Sequence, residues 1–166
     1  MYLLDTGIVA ALRKAKWEAD LAPLAQWARR VPPANLFISA LTLLELENGA
    51  AQAMKRDAEA AKALRAWLDA QIARAFDGRI LSIDAAIVRR RAGLSYEDSR
   101  DALLAATALE HGLTLVTRRP SAYRSGRVKL LNPFDAEIAP DAADEGDWRQ
   151  NTRATPGWLR NLFLRV

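Results

Sequence analysis

The chain of 166 residues contains no cysteine. That excludes disulfides, thiolate nucleophiles and zinc–cysteine sites, and it agrees with the reducing cytoplasm, the location expected here. There is one histidine, His111, which excludes a histidine-rich metal cage. Any metal must then be held mainly by oxygen, and Mg²⁺ or Mn²⁺ are the ions that accept such ligands. No apolar run approaches the ~20 residues of a membrane span, so no membrane role is expected. No basic region precedes the first apolar stretch, so no secretory leader is expected. A glycine-rich phosphate loop is missing; DGR at 77–79 and SGR at 125–127 read as turns. His111 lies near a helix C-terminus, where its charge interacts favourably with the dipole. It has no evident partner for a Ser/His/Asp arrangement and reads as structural.

What is present favours one folded domain with an extension. Hydrophobic residues make up 51% of the chain, enough for a core. The net charge is +4 and the sequence pI about 9.8. Such basicity permits nucleic-acid binding without requiring it.

Residues 2–5 read as a short buried strand, followed by a helical stretch over 8–14. A second helix begins at Asp20, with Leu21, Leu24, Trp27 and Ala28 at helical spacing, and Val31-Pro32-Pro33 stops it. Leu36-Phe37-Ile38 is a second strand, and Ser39 caps a helix from Ala40 to about Ala53. Residues 56–76 form a long Ala-rich helix with Leu64, Trp67, Leu68 and Ile72 along one stripe, ended by Gly78. Trp67 and the helix around it suit an interface between copies. Residues 79–83 are a third strand, and Asp84 caps a helix to about Ala92. Ser95–Asp98 open a helix that runs to His111, with Gly112 where a left-handed C-cap wants glycine. Leu113–Thr117 and Val128–Leu131 are the fourth and fifth strands. Short apolar strands without polar alternation, separated by helices, predict an α/β fold with a parallel sheet of about five strands covered on both faces.

Composition changes at Asp135. Residues 135–147 carry six acids and no basic residue; Arg149, Arg153, Arg160 and Arg165 follow, with Trp148, Trp158, Leu162 and Phe163 between them. A domain over 1–134 and an appendage over 135–166 are expected. GWLRNLFLRV suits either a tethered tail or a short amphipathic helix, with the acids covering a basic site in cis.

In an open parallel sheet, ligands bind beyond the carboxyl ends of the strands. Asp5 ends strand one, Asp101 lies in the first turns of its helix, and Glu45 lies within the helix after strand two. Three acids far apart in sequence can therefore converge on a Mg²⁺, which takes one or two direct carboxylates and leaves room for a phosphate. The chemistry implied is metal-assisted phosphodiester hydrolysis. Each acid also has a plain role. Asp5 can cap the next helix. Asp101 can close a capping box with Asp98. Glu45 can lie on a surface, although its place in Leu43-Leu44-Glu45-Leu46 predicts that it is half-buried and that Glu47 is the more solvated acid.

Taken together, these stretches resemble the PIN-domain ribonuclease toxins of the VapC type, in particular the FitB-like branch. LLDTGIVAALR resembles that family's strand-one motif and FISALTLLELENGA its second acidic motif. AWLDAQIARAFDGRILSIDAA is similar to its long helix and third strand. RDALLAATALEHGLTLVTRR, followed by VKLLNPF, resembles its closing half. The resemblance covers residues 1–134 and implies a PIN-like three-layer α/β/α domain. It implies a Mg²⁺- or Mn²⁺-dependent endoribonuclease that cleaves RNA, neutralised by a small VapB-like antitoxin protein, and a homodimer or larger assembly. Asp5, Glu45 and Asp101 fall on the family's acidic metal-site positions, Thr6 on its strand-one threonine and Thr117 on the threonine near its last acidic position. The alternative is a degenerate PIN fold that binds RNA or a partner protein without cleavage.

The sequence departs from the family pattern at four polar positions. Arg119 stands where Asp or Asn is usual, Ala122 where an acid often follows, Gly7 in place of Asn and Ala10 in place of Ser. An arginine beside carboxylates stabilises their charge without a metal and competes with one. Arg119 is thus expected either to occupy part of the metal's place or to turn to solvent and contact phosphate. Arg118, Arg119, Arg124 and Arg127 follow strand four and are expected to meet the RNA backbone. Arg89-Arg90-Arg91 reads as a solvated helix face.

Overall fold

The computed structural model describes residues 1–15 and 18–135. Residues 136–166, which hold all but the first residue of the expected appendage, lie outside the described residues. The elements run β1 (Tyr2–Leu4), α1 (Thr6–Lys14), α2 (Ala22–Arg30), β2 (Leu36–Ser39), α3 (Ala40–Met54) and α4 (Ala58–Trp67). A π-helical turn, Leu68–Ile72, carries α4 into the short α5 (Ala73–Ala75). Then come β3 (Ile80–Leu81), α6 (Ala85–Ala92), α7 (Ser99–Glu110), β4 (Thr114–Val116) and β5 (Lys129–Leu131).

All five strands are parallel, in the order β3-β2-β1-β4-β5. Side chains alternate across a strand, and the register turns that alternation into two layers. Leu4, Ile38 and Val116 lie side by side and join Ile8, Leu12, Leu24, Trp27, Trp67 and Phe76 on one face. Leu3, Phe37 and Leu115 lie side by side on the other, with Leu104, Ala105, Ala108 and Tyr123. Helices cover both faces, which is why these strands are apolar except at their ends, Ser39, Thr114 and Lys129. The three-layer α/β/α architecture is the one expected.

Local signals set the helix ends. Ser39 Oγ accepts from Leu41 N–H, Asp57 Oδ1 from Glu59 and Ala60 N–H, and Asp84 Oδ1 from Ile87 N–H. Gly78 and Gly112 end helical runs at φ 66° and 63°, where a side chain is strained. The strand expected over 79–83 is only two residues long. Its neighbour β2 supplies just Ile38 and Ser39 before α3 begins at Ala40, so the ladder has nothing further to pair with. The expected role of Trp67 is corrected: it has no exposed surface and packs inside this chain's own core. The stripe was read correctly as apolar, but α3 and the core of the same chain cover it, with the Arg13 guanidinium 5.9 Å from the indole centroid. His111 is the exposed C-cap of α7. Among the described residues no helix is long and apolar enough to cross a membrane.

Candidate active site

From β1 the chain moves outward to β2 and β3, then returns to place β4 on the other side of β1. The direction of winding therefore reverses between β1 and β4. That reversal opens a crevice at the carboxyl ends of these two strands. Asp5 follows β1 directly and Thr117 follows β4 directly, so both stand at its mouth.

Asp5 is 7% exposed. An uncompensated carboxylate so placed would cost several kcal/mol. Here Oδ1 accepts from Ile8 N–H at 3.0 Å and Oδ2 from Thr117 Oγ1 at 2.5 Å. The capping role is real, and it engages only one oxygen. The second is committed to Thr117, which is itself fully buried and accepts from Arg119 N–H at 3.1 Å. Gly7 matters beside it: a Cβ there would stand 3.1 Å from Asp5 Oδ1.

Thr6 donates to Glu45 Oε2, which ties α1 to α3. Glu45 is part-buried as expected, and its other oxygen lies 3.6 Å from Arg100 Nη1. Glu47 is the more exposed acid and pairs with Arg65 of α4. Asp98 caps α7 by accepting from Arg100 and Asp101 N–H, and those two donors hold its carboxyl below the usual range. Asp101 does not close a capping box. Its Oδ1 accepts instead from Tyr123 Oη at 2.9 Å and Arg119 Nη2 at 3.1 Å. The Asp101 carboxylate holds the Arg119 guanidinium more firmly protonated, against the smaller effect of burial, with a lesser pull from Asp5. Burial pushes the Tyr123 phenol well up, and its bond to Asp101 adds to the shift. Tyr123 is therefore a proton donor across the working pH range.

The five expected site residues thus lie in two bonded sets at the crevice, Asp5–Thr117–Arg119–Asp101 and Thr6–Glu45–Arg100, which are adjacent in the chain at Asp5-Thr6 and Arg100-Asp101. Arg119 lies on Asp101, the first of its two expected placements. Arg118 turns away, its guanidinium 4.4 Å over the Phe134 ring. Arg124 and Arg127 are exposed and bond to none of the three acids among the described residues. Arg90 pairs with Glu110 and Arg91 with Ser99 along the solvated face of α6. Two participants were missed from sequence, Arg100 and Tyr123. Arg100 carried a signal, since it precedes Asp101 in the first turn of α7. Tyr123 carried none beyond its place after Pro120.

Among the described residues no three His, Cys, Asp or Glu side chains are gathered closely enough to hold an ion between them. A direct three-carboxylate cage is therefore not preformed. The donors that are present are all oxygens, and Asp101 Oδ2 accepts no hydrogen bond among the described residues. That chemistry suits an ion such as Mg²⁺, which needs one or two direct carboxylates and keeps several waters.

Comparison with known proteins gives the family and the fold. The PIN domain family model matches residues 2–124. The chain is 31% identical over 145 residues to the VapC ribonuclease Y4jK of Sinorhizobium fredii, covering 81% of this chain and 99% of that protein. It is 28% identical over 145 residues to the plasmid stability protein StbB of Pseudomonas syringae pv. tomato, covering 82% and 100%. The crystal structure of FitAcB from Neisseria gonorrhoeae superposes with a TM-score of 0.71 at 26% identity, covering 81% of this chain and 99% of that one.

Proposed function

The chain belongs to the PIN domain family, and on that premise we propose that it is a Mg²⁺- or Mn²⁺-dependent endoribonuclease, the toxin of a toxin–antitoxin pair. The observation that carries the reading is that Asp5 and Asp101 share one bonded set at the β1/β4 crevice, with Glu45 in a second set made with their chain neighbours Thr6 and Arg100. Asp5 and Asp101 would hold the metal directly, with Glu45 on its water ligands. A bound Mg²⁺ or Mn²⁺ would supply an activated water and offset charge on the phosphate.

The chain's own residues do the positioning. Thr117 fixes Asp5 with Oδ1 turned to the helix and Oδ2 to the crevice. Thr6 fixes Glu45. Tyr123, always protonated, fixes Asp101. Arg124 and Arg127 would meet RNA phosphates, joined by Arg118 only on leaving the Phe134 ring, giving affinity that falls with salt and carries no sequence information. A small antitoxin of the VapB kind is the proposed partner, since FitAcB of Neisseria gonorrhoeae shares the fold over most of its length. Residues 1–134 would be the catalytic domain and 135–166 an appendage to it.

One observation favours a second reading: Arg119 already satisfies Asp101 without a metal. On that reading the protein binds RNA without cutting it. Incubation of the purified chain with a structured RNA pool, with Mn²⁺ and then with excess chelator, separates the two. The nuclease reading expects internal cuts that the chelator abolishes. RNA bound but intact at every metal concentration supports the binding reading and defeats the first.

A further inference from the structure

Two arginines stand over the candidate site. Arg100 lies 3.6 Å from Glu45 and Arg119 lies 3.1 Å from Asp101. Their side chains are 71% and 64% exposed, while the acids they cover are 28% and 15% exposed. Each guanidinium is thus on the solvent side of its carboxylate. Apart from these pairs, neither side chain makes a hydrogen bond or ion pair among the described residues. Two of the three negative charges at the site are matched by cations that point outward.

Exposed ion pairs of this kind contribute little stability, about 0–1 kcal/mol each. The bonds that place the acids, from Thr117, Thr6 and Tyr123, lie deeper and are independent of them. The pairs can therefore open while the carboxylates keep their places. An arriving divalent ion competes with the guanidinium for the charge of the same carboxylate. A phosphate competes with the carboxylate for the same guanidinium, and arginine matches phosphate with two parallel donors. Each ligand thus takes one half of each pair and frees the half the other needs.

We propose that Arg100 and Arg119 are exchangeable counter-ions that couple metal binding to RNA binding at this site. The inference rests on the nuclease reading and adds its regulation. Without RNA the arginines hold the acids and the metal binds weakly. With RNA they move to phosphate and the metal binds tightly. Coupling of this kind is reciprocal, so metal tightens RNA by the same factor. Two weak pairs correspond to a factor of about ten, within the usual range for coupled sites.

The test is a Mn²⁺ titration followed by the electron paramagnetic resonance signal of free Mn²⁺. It is run on the full chain alone and saturated with a nuclease-resistant 2′-O-methyl phosphorothioate oligonucleotide of mixed sequence. The expected result is a Kd about tenfold lower with the oligonucleotide. In the Arg100→Gln/Arg119→Gln variant, Mn²⁺ alone should bind more tightly than to the wild type, and the oligonucleotide should change its Kd little. Both arginines are exposed, so the variant should keep the wild-type circular dichroism and melting temperature. Equal Mn²⁺ affinity in wild type and variant overturns the proposal. So does coupling of undiminished size in the variant, which would place its origin in direct metal–phosphate contact. Independent binding of Mn²⁺ and oligonucleotide to the wild type defeats the coupling and leaves the nuclease reading standing. No Mn²⁺ bound under any condition defeats both.

Discussion

Thr117→Val is the substitution whose consequences follow most directly from the geometry. Valine keeps the shape and removes the hydroxyl. Thr117 is fully buried, so no water replaces what is lost. Its hydroxyl donates to the Asp5 carboxylate at 2.5 Å, and a hydrogen bond to a charged group contributes about 1.5–3 kcal/mol. It also accepts from Arg119 N–H at 3.1 Å, where a neutral bond contributes about 1 kcal/mol, partly recovered by solvent. The expected loss is therefore about 2–3 kcal/mol. For a chain of this length each kcal/mol moves Tm by about 2–4 °C, so a fall of about 4–12 °C is expected. Urea unfolding measures the free energy with the slope as a control, and a scanning melt measures the temperature. Thr117→Ser retains the hydroxyl and loses one buried methyl, so it should cost about 1 kcal/mol and keep any cleavage activity. If Thr117→Val unfolds within 0.5 kcal/mol of the wild type (roughly the scatter of neutral surface changes), Asp5 does not depend on this bond and the account of its burial is wrong.

Other perturbations have similarly definite outcomes. Tyr123→Phe removes a donor to Asp101 from a side chain 1% exposed, and should lower stability by about 2 kcal/mol in urea melts, with an unchanged midpoint counting against the bond. Gly126→Ala places a Cβ 2.0 Å from the Tyr96 hydroxyl, so it should destabilise measurably, and the Tyr96→Phe background should relieve part of the loss in a double-mutant cycle. Asp98 has a folded-state pKa held below its unfolded value by two backbone N–H donors. Its contribution is fully present above the unfolded value of about 4 and is lost as pH falls through the folded one. Asp98→Asn should therefore lower the neutral plateau of a stability–pH curve, leave stability at the acid end near that of the wild type, and so flatten the limb between them; a limb identical to the wild type would show that the cap does not titrate.

How far the sequence carried depended on the range of each interaction. Ser39, Asp84, Asp98 and Gly112 were readable because a cap needs only the next few residues. The sheet was readable from unbroken apolar runs, since burial on both faces leaves no polar alternation. Asp5 showed the limit of choosing between roles. It caps α1 with one oxygen and accepts from Thr117 with the other, and a one-dimensional pattern does not reveal that a carboxylate has two ends. The burial of Glu45 was visible in its neighbours, but its partners Thr6 and Arg100 come from other elements. Tyr123 reaches Asp101 across a 3₁₀ turn, and no periodicity marks it. Trp67 was misplaced because a helical stripe declares an apolar face without saying which chain covers it. Lys16, Trp17 and residues 136–166, including the proposed amphipathic tail, are outside the described residues.

The central claim is that three carboxylates and a divalent ion cut RNA at one crevice. Its most direct test is single-turnover cleavage of a labelled structured RNA with Mn²⁺, comparing the wild type with Asp5→Asn and Asp101→Asn, each verified as folded by circular dichroism. The account predicts internal cleavage by the wild type and a loss of at least about 100-fold in both variants, as expected when a carboxylate that would hold the metal is removed. Cleavage by Asp5→Asn at the wild-type rate, or none by a wild type that binds the RNA, would contradict it.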